Sequence, residues 1–161
     1  MIILGIDPGT KTTGYGVVEK GERGSDLIGI AYGEIRIKRG EFLSVCLKKI
    51  YDQLIEVITK YAPDAVALED IFYGKNVKSL IKLAQARGVV ILAASHCDIP
   101  LYEYTPLEVK KAVVGYGRAE KSQVQHMVRV ILSLKEVPPL DASDALAIAI
   151  CHSNFLKEVP V

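Results

Sequence analysis

The chain has 161 residues, 50% hydrophobic and 24% charged, an ordinary globular balance with enough length to bury a core. A formal net charge of +1 means that composition alone does not announce a nucleic-acid binder, so any electropositive surface must come from local segregation. Three widely spaced cysteines (Cys46, Cys97, Cys151) argue against a disulfide framework or a C-x-x-C zinc site, and each is expected to be a small buried hydrophobe in a reducing compartment. The opening MIILGID lacks a basic leader, and the apolar run from Gly88 to Ser95 is too short to cross a membrane. One domain over residues 1–161, soluble and cytoplasmic, is the resulting expectation.

In chain order, residues 2–6 form a short β-branched run that stops at the turn signal Asp7-Pro8-Gly9, the mark of a buried strand. Thr12 to Val18 and Leu27 to Ile37 follow as strands of an antiparallel meander. The period then changes: Leu43, Cys46, Leu47, Ile50, Leu54, Val57, Ile58 and Tyr61 share a helical face, and Pro63 ends the helix. Ala65 to Glu69 is a short buried strand whose position after a helix implies a crossover to a parallel partner. A second helix is predicted over Val77 to Ser95, with a second half apolar all round, as if covered on more than one side. Leu101 to Tyr104 is a fifth strand. Short helices follow near Pro106 to Val114 and Ser122 to Leu134, and a last one begins at Asp141 after Pro138-Pro139. Three antiparallel strands followed by crossover units describe an α/β fold of the ribonuclease H-like kind, a five-stranded mixed sheet flanked by helices.

Four carboxylates stand at informative places. Asp7 ends a buried strand and must emerge at the rim of a core it cannot enter, although a D-P-G-T turn explains an Asp equally well. Glu69 also ends a buried strand, and alternation points it away from Asp70, so only one of the two can join Asp7. Ala65 and Ala67 on the Glu69 face leave room for another element, which favours Glu69. Asp141 and Asp144 share a helix face; alone, they read best as a cap and its dipole partner. Combined, the four would repel one another without cations. Oxygen-only ligands suit Mg²⁺ or Mn²⁺, and two such ions can clamp both oxygens of a phosphodiester under attack.

Charge is segregated after all. Lys75, Lys78, Lys82, Arg87, Lys110, Lys111, Arg118 and Lys121 face only four acids within the same stretch, whereas the rest of the chain is net acidic. This is a candidate phosphate footprint, with Lys75, Lys78 and Lys82 at helical spacing. The preceding Ile71-Phe72-Tyr73-Gly74 offers an aromatic either to the core or to an unpaired base. Gly115-Tyr116-Gly117-Arg118 leads into a helix carrying Lys121, which fits a plain turn or a phosphate contact. His96, His126 and His152 have no ligand spacing, though His152 lies two turns beyond Asp144.

The stretches GIDPGTKTTGYGVV, ALEDIFYGKNVKSLIKLAQARGV, VVGYGRAEKSQVQHMV and DASDALAIAICH, in this order, resemble the RuvC family of Holliday-junction resolvases. The resemblance implies a homodimer that nicks opposing strands of four-way junction DNA, leaving 5′-phosphate and 3′-hydroxyl ends, alongside a branch-migration helicase of the RuvA and RuvB type. It implies two Mg²⁺ ions, replaceable by Mn²⁺, held by Asp7, Glu69, Asp141 and Asp144; some relatives use His at the last position. It also implies that Phe72 acts near the junction crossover, that Lys110 and Lys121 lie close to the scissile strand, and that the second helix joins the dimer. Rival readings are an actin-like or sugar-kinase ATPase, which needs two such domains and a second D-x-G-T turn, a non-catalytic junction-binding module, and a YqgF-type RNA nuclease. The A-E-K-S-Q-V-Q segment and the aromatic after Glu69 favour the resolvase.

Overall fold

The computed structural model describes residues 1–21, 26–70 and 76–155. Its strands are β1 (Ile2–Asp7), β2 (Thr12–Lys20), β3 (Leu27–Arg36), β4 (Ala65–Glu69) and β5 (Leu101–Tyr104). The helices among the described residues are α1 (Leu43–Tyr61), α2 (Val77–His96), α3 (Pro106–Val114), α4 (Lys121–Ile131) and α5 (Leu140–Asn154). The sheet order is β3-β2-β1-β4-β5. β1 runs antiparallel to β2 and parallel to β4, and β5 is parallel to β4, which is the ribonuclease H-like arrangement expected.

Strand alternation sorts the core into two layers. Leu4, Ile6, Val17, Val66 and Leu68 pack against α1 and α2. Ile3, Val18, Ala67 and Tyr104 pack on the opposite face against α3, α4 and α5. Helix α1 earns its place through Cys46, Ile50, Leu54 and Ile58, a stripe at four-residue spacing that is wholly buried. Burying each of its larger aliphatic side chains contributes about 1.5–3 kcal/mol. The helix ends where Ala62 turns left-handed (φ 44°) ahead of Pro63.

Helix α5 is the most buried: every residue from Ala142 to Ser153 except Asp144 is inaccessible. Besides the side chains of that layer, it meets three glycines of β1 and β2 at close range. A Cβ on Gly5 would stand 2.0 Å from the Ala145 carbonyl oxygen, one on Gly14 2.0 Å from that of Asp141, and one on Gly16 2.6 Å from the Leu146 side chain. Gly5 pairs with Gly16 and Gly14 with Asp7 across the β1–β2 ladder. These glycines form a seam on one face of the sheet.

Several boundaries differ from the sequence reading by a residue or more, and two of them have a visible cause. Helix α4 stops at Ile131 rather than Leu134, because Ser133 is left-handed (φ 52°) and the Leu134 N–H bonds to the Arg129 carbonyl. Helix α5 starts one residue early, at Leu140 behind Pro139, so Asp141 already lies within its first turn. Cys46 and Cys151 are buried as expected, whereas Cys97 is half-buried at the end of α2. Among the described residues no helix is long and apolar enough to cross a membrane.

Candidate active site

The acidic site forms where β1 and β4 end side by side. Their parallel register pairs Ile6 with Leu68, so Asp7 and Glu69 come level one step later. Both follow the alternation of Ile3 and Ala67 and therefore face α5, while Asp70 belongs to the opposite face. Glu69, not Asp70, thus shares the face of Asp7. The glycine seam then brings the first turns of α5 onto the same rim, with Asp141 and Asp144 on its exposed side.

Neither helix acid is used as a cap. Pro139 occupies the N-cap position, no side chain caps the helix, and the Ser143 N–H bonds to the Pro139 carbonyl. The capping interpretation of Asp141 and Asp144 is thus corrected: the diproline starts the helix without them, and both carboxylates are left to the site.

The electrostatics show how closely the acids crowd. Burial, then the charges of Asp144, Glu69 and Asp141, raise Asp7 to a pKa of about 7, with Lys121 opposing them. Glu69 is raised by burial and then by Asp144, against Lys121 and Lys110. Asp141 is raised by burial, Glu34 and Asp144, against Lys121 and Arg36. Lys121, at the first position of α4, donates to Asp144 Oδ2 at 2.9 Å, and this bond is the main cause of its raised pKa. Its helix start is held by Gln123, whose side-chain oxygen accepts from the Glu120 N–H at 2.9 Å.

The donor set fits a hard divalent cation: four carboxylates that resist sharing negative charge are what such an ion neutralises. Among the described residues no three acids or histidines are drawn to chelating distance as they stand, with Asp144 turned toward Lys121.

The other candidates divide. Lys110 lies near enough to Glu69 for its charge to oppose the rise of that carboxyl's pKa. Lys78 and Lys82 are exposed on α2, and Arg118 is exposed in the turn before α4. Phe72 and Lys75 lie outside the described residues. Arg87 does not belong to a phosphate footprint: it is 8% exposed and paired inward with Glu103. His152 is no ligand either. It is 2% exposed, its Nδ1 shares a 2.7 Å hydrogen bond with the Tyr104 hydroxyl, and its ring stacks obliquely on Tyr102.

Sequence reasoning missed Glu34 and Lys11. Glu34 pairs with Gly14 across the β2–β3 ladder, which aligns it with Asp7, and Arg36 Nη2 holds its carboxylate at 2.7 Å. Its strand register was the available signal. Lys11 lines a cleft of about 440 Å³ with Gly9, Thr10, Thr12, Leu83 and Asp141, beside the acids.

Comparison with known proteins agrees with this geometry. The family model described as "Crossover junction endodeoxyribonuclease RuvC" matches residues 3–152. The chain is 54% identical to the RuvC of Syntrophotalea carbinolica over 96% of its own length and 94% of the relative's. It superimposes on the Thermus thermophilus RuvC structure with a TM-score of 0.86 and 36% identity, covering 95% of this chain and 93% of that one. The T. thermophilus RuvC structure in complex with a Holliday junction substrate gives the same TM-score at 34% identity and the same coverage. The two ends of the sheet's central parallel pair, the α5 acids and the full-length match converge on one conclusion: the chain belongs to the RuvC family of crossover junction endodeoxyribonucleases.

Proposed function

We propose that the chain resolves four-way DNA junctions by paired hydrolysis of phosphodiester bonds, leaving 5′-phosphate and 3′-hydroxyl ends, in recombination and repair. The observation that carries this reading is the convergence of Asp7, Glu69, Asp141 and Asp144 with Lys121 on one rim in a RuvC-family chain. The working unit is one nuclease domain spanning residues 1–161, acting in the cytoplasm.

Asp7, Glu69, Asp141 and Asp144 would hold Mg²⁺, two ions per site, with Mn²⁺ able to substitute. The ions supply charge neutralisation and Lewis acidity at the phosphate. Asp7, which feels the charges of Asp144, Glu69 and Asp141 together, would serve both halves of the set. Lys121, which donates to Asp144 at 2.9 Å, would offer its ammonium to the phosphate beside the acids. Lys110 approaches from α3, and Lys78, Lys82, Arg118, Lys75 and Phe72 extend the DNA track, with Phe72 at the crossover.

Pairing of cuts requires two sites. The outer face of α2 carries exposed Val77, Ile81, Ile91 and Leu92, and Gly88 there has open space around it. This stripe supports a homodimer through α2, whose two-fold symmetry matches that of a junction. A branch-migration helicase of the RuvA and RuvB type is the partner the family membership supports.

Incubation with Mg²⁺ and either a synthetic four-way junction or a linear duplex of the same sequence tests the activity. Symmetric paired nicks in the junction alone, lost in Asp7→Asn while binding persists, are expected. Equal cutting of the duplex, or full activity of the variant, would overturn the proposal. Sedimentation of Leu92→Glu, expected to run as a monomer where the native chain runs as a dimer, tests the interface.

A further inference from the structure

Arg87 is a costly residue in its position. Its α2 neighbours Ala86, Val90, Ala93 and Ala94 are buried and apolar, yet Arg87 carries a guanidinium with only 8% of its surface exposed. A buried cation is tolerated only when it is paired and its donors are used. Here Nη1 donates to the main-chain carbonyl oxygen of Glu69 at 2.5 Å. Nη2 forms an ion pair with Glu103 on β5 and lies 4.0 Å from Asp70 Oδ1, just past the end of β4. Glu103 pairs with Leu68 in the ladder, so one planar group spans the ends of two neighbouring strands.

The contact to Glu69 is made from behind. The Glu69 side chain faces α5 and the other acids, while Arg87 reaches its carbonyl from the α2 side. Arg87 therefore touches no reacting group, and whatever it does for the site passes through the Glu69 main chain.

We propose that Arg87 is a positioning residue which holds the end of β4 so that the Glu69 carboxylate stands level with Asp7, and thereby sets the affinity of the acidic cluster for divalent cations. This rests on the reading of that cluster as the metal site. The fork of the guanidinium is essential to the idea, since a lysine ammonium can reach Glu103 or the Glu69 carbonyl but cannot span both in fixed geometry. Groups that orient a metal ligand from behind typically change metal affinity by about 10–100-fold when altered.

The test is Mn²⁺ binding to the full-length metal-free protein, followed by electron paramagnetic resonance, for the native chain, Arg87→Lys, Arg87→Met and Glu103→Gln. Arg87→Lys is expected to weaken Mn²⁺ by about tenfold. The Mg²⁺ concentration for half-maximal junction cleavage should rise by a similar factor, with junction affinity in chelator unchanged. Glu103→Gln, which keeps the Glu69 contact, should weaken Mn²⁺ less. Arg87→Met is the stronger perturbation; if it fails to fold, Arg87→Lys decides. Native Mn²⁺ affinity in a folded Arg87→Lys, even with a lower melting temperature, would overturn the proposal and leave Arg87 a mere stabiliser. Weakened Mn²⁺ binding in a protein that does not cut junctions would leave the role of Arg87 standing and remove the proposed activity instead.

Discussion

The ammonium of Lys121 and the carboxylate of Asp144, 2.9 Å apart, tie the first residue of α4 to the second turn of α5. This contact places a permanent cation inside a cluster of acids, where it opposes the raised pKa values of Asp7, Glu69 and Asp141. Replacing Lys121 with Met removes both that neutralisation and a charge beside the proposed phosphate position. The expected outcome is a loss of about 10²-fold or more in single-turnover cleavage, the scale seen for losing one electrostatic stabiliser. Junction binding should fall only a few-fold. A rate within threefold of native would show that Lys121 serves only to hold Asp144.

Asp7 makes the metal-free protein sensitive to rising pH. Its folded pKa, about 7, lies above the ordinary value of 3.8, so the folded state holds this proton more tightly than the unfolded chain does. The sign follows from proton linkage: stability from this group is full below about pH 4 and is lost as pH rises towards 7. Asp7→Asn removes the loss. In chelator at pH 8 the variant should melt higher than the native chain by on the order of 5 °C, with the gap closing by pH 4. Thermal unfolding across that range checks it, and an Asp7→Asn protein that melts lower at pH 8 would contradict it.

His152 acts in the opposite direction. Burial, with help from Lys20, lowers its pKa to about 4 from 6.5, so the folded state resists a proton that the unfolded chain accepts. Its contribution is therefore present above pH 6.5 and lost as pH falls towards 4, at up to about 1.4 kcal/mol per pH unit. Replacing His152 with Gln should flatten the acid limb of a denaturation profile between those values. Nuclear magnetic resonance titration of the imidazole, showing no protonation above pH 5, is the direct check.

The glycine seam yields a steric prediction. Gly5→Ala would set a methyl group 2.0 Å from the Ala145 carbonyl oxygen, and 2.8 Å from the Ala149 nitrogen. Neither neighbour is a movable side-chain end, so the strand and helix must separate. A loss of at least about 3 kcal/mol in urea denaturation is expected, at the upper end of overpacking costs. Gly88→Ala meets nothing within 4 Å among the described residues and should leave the monomer's fold intact.

The elements were legible because each carries its own period: alternation and short β-branched runs for the strands, the stripe from Cys46 to Ile58 for α1. Glu69 was distinguishable from Asp70 for the same local reason, since neighbours on a strand must point to opposite faces. Asp141 and Asp144 were ambiguous taken alone, because acids at a helix start look like caps, and they became site candidates only in combination with Asp7 and Glu69; Pro139 holds the N-cap position instead. Arg87 was illegible in a deeper sense. A basic residue on a lysine-bearing helix reads as surface, and it is turned inward by partners distant in sequence, Glu103 on β5 and the Glu69 carbonyl. The seam was visible as glycines in β2, but its meaning depends on which helix arrives there.

That arrival has a mechanical consequence. Side-chain padding between a helix and a sheet compresses, repacks and shifts as temperature or sequence changes, whereas main chain resting on main chain is a hard stop. Asp7 and the two acids of α5 consequently ride on a single rigid block, with no play in the joint between them. In the proposed metal site, adjustments to ions of different size would then come from the rotamers of four side chains, while the scaffold behaves like the fixed jaw of a vice.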